Sequence, residues 1–277
     1  MSPTPLKPFA RRTAALPGHA APWAWALWGA VCGGLLTLLV FAPAQWLALA
    51  ADWGSQGQLQ LQEARGTLWQ GSARIVLTGG AGSRDAQALP GRMEWTLQSQ
   101  GLGAQLRLRA ACCMTQAQDL QVTPAWGGLQ AQVSDTPSTW PAALLAGLGA
   151  PWNTLQPEGA LTLQPQQLRF QWLSGRLMVQ GGLTLTAQDM ASRLTPLKPM
   201  GTYQLRIEAG AQPTATPALN LTTLSGSLLL SGQGQWVGQR LRFLGEARAV
   251  PEHEAVLNNL LSIIGRRDGA RSLLSWG

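Results

Sequence analysis

Ionisable side chains are scarce in this 277-residue chain: Asp, Glu, Lys and Arg together make up 12% of it, about half the usual share. Histidine occurs twice, tyrosine once and cysteine three times. So few imidazoles and thiols nearly exclude a clustered metal site. The net charge of +7 raises nucleic acid as a partner, yet the cations are scattered singly, in no run longer than two. Without a basic stripe or a recognition motif, nucleic acid is not an expected partner.

Catalytic groups are equally thin. His19 lies in the N-terminal tail and His253 near the last predicted helix, so no two histidines serve one site. Glu63, Glu94, Glu158 and Glu208 stand alone, at no spacing that suggests a glycosidase-like pair. The pattern G-x-S-x-G fails, since "GQGQW" has no serine, and "GTLWQG" has no lysine for a phosphate. The expectation is a protein that is not an enzyme, with no catalytic, cofactor-binding or metal residues and no cofactor.

What fills the gap is Gln, Thr, Ser and 32 glycines, with 13 tryptophans against four phenylalanines. That mixture suggests a β-rich molecule with a polar, weakly charged surface and half-buried indoles whose N–H groups stay wet. The length allows one large domain or two modest ones, each with a core.

From Ala20 to Ala51 there is no charged residue at all. Within that stretch Trp25 to Ala42, "WALWGAVCGGLLTLLVFA", is apolar except for Thr37. As a helix it spans about 27 Å, close to the hydrocarbon thickness of a bilayer. Trp23, Trp25 and Trp28 crowd one end and Trp46 lies past the other, as interfacial aromatics do. Pro43 ends or kinks the helix. A cleavable signal peptide would have a shorter apolar core before a small-x-small site. Ala42-Pro43-Ala44 offers such a site, but the run is too long, so a retained anchor over 25–43 is expected. Lys7, Arg11 and Arg12 precede it and the first charge after it is Asp52. The positive-inside rule then makes 1–24 a cytoplasmic basic tail and places the body outside.

Past the anchor the hydrophobic period becomes two. Trp69, Gly71, Ala73, Ile75 and Leu77 alternate with Gln70, Ser72 and Arg74; "RMEWTLQ" and "AQLRLRA" do the same. So do "QLRFQW", "GLTLTAQ", "TYQLRIE", "ALNLTTL", "GSLLLSGQ" and "QRLRFLGEARA". The predicted fold class is mainly β: an antiparallel body of one or two sheets, in one or two lobes, with one apolar and one solvated face, behind a single N-terminal transmembrane helix. Two helical islands interrupt it. "STWPAALLAGLGAP" (138–151) divides a first β lobe, 50–137, from a second, 152–277. "PEHEAVLNNLLSIIGRRDG" closes the second, with Pro251 in the first turn and Gly265 at the C-cap.

Several of these pieces, in this order, resemble the type II secretion system protein N family of Gram-negative bacteria. They are the basic tail and anchor, "ARGTLWQGSARIVL" with "LPGRMEWTL", "PMGTYQLRI", "LSGSLLLSGQGQW", "LRFLGEARA", and the terminal "AVLNNLLSIIGRRDGARSLLSW". The resemblance implies a single-pass inner-membrane protein with a periplasmic body. That body would belong to the machine that exports folded proteins across the outer membrane. Its implied partners are other inner-membrane secretion subunits and secreted cargo; no active-site residues carry over.

At the first turn, Gly66 turns the chain and Trp69 is expected to plug the membrane-proximal end of the first inward face, with Gly71 relieving crowding beside the Trp69 indole. The alternative is a docking edge with Trp69 exposed as an anchor. Trp95 is a further inward candidate. Cys112 and Cys113 are expected to form a vicinal disulfide; an intermolecular link and two free thiols stay open as alternatives. The rival function is a tethered, lipid-binding envelope-maintenance protein of the AsmA type, in which an open apolar sheet face holds acyl chains. A filled face between two sheets separates the first reading from a lined trough.

Overall fold

The computed structural model describes residues 23–173, 176–209, 216–237 and 240–277. The basic tail falls outside them. Two compact units divide the chain after Phe41.

The first unit contains α1, Trp23–Val40, which is exposed along its length. It is long and apolar enough to cross a membrane. Thr37 does not interrupt it, because its hydroxyl donates to the Gly33 carbonyl one turn back, at 2.8 Å.

The second unit, from Ala42 to Gly277, opens with α2 (Gln45–Gly54) and is otherwise dominated by strands. In chain order these are β1 Leu59–Gly66, β2 Gln70–Thr78, β3 Ala86–Ala88, β4 Met93–Gln100, β5 Gly103–Ala110, β6 Gln118–Ala125, β7 Gly128–Val133 and β8 Ser138–Pro141. After a 3-10 helix at Ala142–Leu148 and the short α3 (Trp152–Leu155) come β9 Pro157–Leu173, β10 Arg176–Ser192, β11 Gly201–Glu208, β12 Ala218–Gly226, β13 Leu228–Val237 and β14 Arg240–Ala249. Helix α4, Glu254–Ile264, precedes β15 (Arg266–Asp268) and β16 (Arg271–Trp276).

All sixteen strands belong to one antiparallel sheet, in the order β1-β2-β4-β5-β6-β7-β9-β10-β11-β12-β13-β14-β16-β15, with β3 on β2 and β8 on β9. Neighbours in sequence are neighbours in space almost throughout, as short polar turns between alternating strands require. The sheet is continuous through 138–151: β7 and β8 both pair with β9. The island at 138–151 is helical only in part. Ser138–Pro141 is strand and the helical turn over Ala142–Leu148 is of the 3-10 type. Pro141, extended at φ −66°, ψ 129°, keeps the first four residues out of the helix.

One bulge keeps the apolar face intact. Between Arg169 and Gln166 β9 advances three residues while β10 advances two, Gln180 to Gly182. Gln167 takes φ +50° there, and its amide donates to Asp135 Oδ1 at 2.6 Å. The extra residue resets the alternation, so Leu161 and Leu163 share a face with Phe170 and Trp172 despite their odd spacing.

Three buried clusters sit on that face. Ala44 and Leu47 of the α2 region cover Ala73, Trp95 and Leu108. Leu144 of the 3-10 helix meets Leu89, Ala110 and Cys113. Leu257, Leu260 and Leu261, one stripe of α4, bury Met200, Tyr203, Leu228 and Ala247. Tyr203 buries its hydroxyl without a partner among the described residues, and burial pushes its pKa up.

Candidate functional site

The first turn shows how small residues hold a large one. Gly66 has φ +89° and directs the chain from β1 to β2. Gly71 lies opposite Trp95 in the β2–β4 register, and a Cβ on Gly71 would fall 2.5 Å from Trp95 Cζ2. The indole over Gly71 is therefore that of Trp95. It is 4% exposed, and its Nε1–H donates to the carbonyls of Thr67 (3.3 Å) and Leu68 (3.1 Å). Trp69 is half-buried in the turn itself, and its carbonyl accepts from the Leu97 amide at 2.6 Å. The ring that meets Gly71 is Trp95's, because cross-strand register and not position along β2 decides which ring lies over the glycine.

Arg92 was not legible as a participant. Its guanidinium donates to the Glu63 carbonyl (2.6 Å), Glu63 Oε2 (3.1 Å), Ser72 Oγ (3.2 Å) and the Ser72 carbonyl (3.1 Å). Those bonds brace the β1 bulge, where Glu63 sits at φ +50°. The one signal was its position straight after the Pro90-Gly91 turn.

Gly265 follows α4 with φ −165°, ψ 176°, so it is extended and not a left-handed cap. Its requirement is space: a Cβ there would lie 2.6 Å from the Leu273 carbonyl oxygen. Cys112 and Cys113 are joined to each other by a disulfide, with Cys112 exposed and Cys113 buried against Leu144's cluster. The Cys113 carbonyl accepts from the Thr139 amide at 2.8 Å, which ties the β5–β6 connection to β8.

These residues surround turns and clusters; they do not converge on one chemical centre. Among the described residues no group of three His, Cys, Asp or Glu could hold a metal ion. A shallow pocket of about 430 Å³ between Leu89, Pro90, Pro141 and Leu144 has Arg74 as its one ionisable wall. Several charges elsewhere are paired with each other. Asp119 accepts from Arg107 Nε at 2.9 Å and raises that guanidinium's pKa, while Lys198, 2.7 Å from Glu158, holds that carboxyl below its usual range. These side chains are largely exposed, so such pairs contribute little to stability.

The feature that remains is the uncovered part of the apolar face. Its rungs follow from the register: Leu120–Val133, then Ala131–Phe170–Val179, then Leu183–Ile207, bounded by Leu106, which packs on the Trp95 cluster, and by the buried Leu219. Leu120, Val133, Phe170, Val179, Leu183 and Ile207 are half-buried, and none packs into the three clusters among the described residues. One sheet with one partly covered apolar face is what the geometry offers. A model of the family described as type II secretion system (T2SS), protein N matches residues 57–273. The chain belongs to that family. The match runs from the end of α2 into β16 and takes in the whole uncovered face. No curated protein and no solved structure matches the chain. Membership in the protein N family makes this a component of type II secretion.

Proposed function

We propose that this protein is a non-enzymatic, single-pass inner-membrane subunit that supports export of folded proteins across the outer membrane. Its α1 anchors the chain with the N-terminus in the cytoplasm, and the sheet stands in the periplasm. The open apolar face, centred on Phe170 and Val179, receives another subunit or a segment of cargo. Family membership and that uncovered face together support the reading. Contacts of this kind rest on apolar docking and strand pairing, so they should depend weakly on salt.

A clean deletion in the source bacterium tests the proposal, with culture supernatant and periplasm compared for normally secreted enzymes. The expected result is that these enzymes accumulate in the periplasm and are released again when the intact gene is restored. The open face also favours a second reading, in which it lines a trough for acyl chains. That reading predicts intact secretion together with an outer membrane that has become permeable to large antibiotics.

A further inference from the structure

The sheet is a meander, so the hairpins β4–β5, β6–β7, β9–β10, β11–β12 and β13–β14 all turn at one end. Among the described residues, two of those turns hold bare apolar side chains: Leu102 is 94% exposed and Trp126 fully so. Beside Trp126, the rung Leu129–Trp172–Leu177 crosses three strands with each member more than half exposed. On the opposite face at this end stand Arg240 and Arg242, exposed and without an acidic partner among the described residues. On β4 to β14 the one described carboxylate within four residues of these turns is Glu208, and Arg206 pairs with it at 3.8 Å. An apolar rim with surplus cations matches the chemistry of an anionic lipid surface.

The chain also enters the sheet at this end. The β1–β2 turn points the same way, and there Leu68 N–H donates to the Ala42 carbonyl (2.8 Å) and Ala44 N–H to the Gly66 carbonyl (3.1 Å). Helix α1 ends at Val40, and the two residues to Ala42 extend at most about 7 Å. We infer that the hairpin-turn end of the sheet seats on an anionic bilayer surface. Trp126 and Leu102 enter the interfacial layer, where indoles are favoured, and Arg240 and Arg242 meet lipid phosphates. The inference rests on α1 crossing that bilayer.

The test uses the full chain carrying Cys32→Ala, with Leu102→Cys or Trp126→Cys bearing an NBD fluorophore, and with Cys112–Cys113 left oxidised. Asn259→Cys, on the exposed side of α4, is the reference position. Each chain is reconstituted into phosphatidylethanolamine–phosphatidylglycerol vesicles doped with a lipid that bears a nitroxide near its headgroup. At positions 102 and 126 most of the emission should be quenched, and at 259 little. R240Q/R242Q should shift the seated equilibrium about fivefold for each cation removed, from about 1 kcal/mol per basic group at an anionic surface. Quenching at 102 and 126 no greater than at 259 overturns the proposal, as does an emission blue shift without quenching, the signature of a second copy or another protein covering the rim. Equal quenching in pure phosphatidylcholine overturns the anionic assignment. Flotation keeps the two levels apart: a chain that fails to float with vesicles contradicts the membrane-spanning helix, while one that floats with unquenched probes contradicts the seated sheet alone.

Discussion

Trp95→Ala should destabilise the sheet body by about 3–5 kcal/mol, the range for truncating a large buried aromatic. Ala44, Ala73 and the bare Cα of Gly71 have no side chain long enough to reach into the space the ring would leave, although Leu47 and Leu108 also belong to the cluster. The change also removes the indole donor shared by the Thr67 and Leu68 carbonyls, which fixes the first turn to β4. Trp69→Ala, at a half-buried position in the turn, should cost distinctly less. Denaturant midpoints for the full chain in detergent, followed by near-ultraviolet circular dichroism, separate the two. Equal losses would mean that the two rings share the plugging role.

That contrast shows what the sequence could carry. Period-two alternation located the strands, and short polar turns implied that consecutive ones pair, so an antiparallel β body behind an apolar helix was legible, while its being one sheet and not two was not. The helix at 251–265 was legible for a related reason: Leu257, Leu260 and Leu261 recur at helical spacing and do bury one stripe. Which indole lies over Gly71 was not legible, since Trp69 and Trp95 each fit an inward pattern and only the register between β2 and β4 chooses. The bulge at Gln167 was hidden because the alternation is apolar on both sides of it. Gly265 does stand at the C-cap of α4, as its position indicated; what its position did not reveal is that close approach to β16, and not a special backbone conformation, excludes a side chain there. Coverage of the apolar face was the least legible property. Alternation states that Phe170 and Val179 face away from water-loving neighbours, but not whether anything lies over them.

The open face is where the proposed function resides, and adjacent residues on β10 allow it to be tested. Val179 lies on that face, paired with Phe170, while Gln180 points to the polar side, paired with Arg169. A carboxylate at 179 remains hydrated as long as the face is open, so the fold should lose only about 1 kcal/mol. Anything that docks there must strip water from that charge, and an unpaired charge in an apolar contact costs several kcal/mol. Export should therefore fail while the protein stays folded and abundant.

The decisive measurement compares Val179→Asp with Gln180→Asp in the deletion strain, scoring secreted enzymes in supernatant and periplasm beside the melting midpoint of each purified chain. The expected result is export lost with Val179→Asp and retained with Gln180→Asp, at similar midpoints. Normal export by a stable Val179→Asp chain would contradict the assignment of the open face as the working surface.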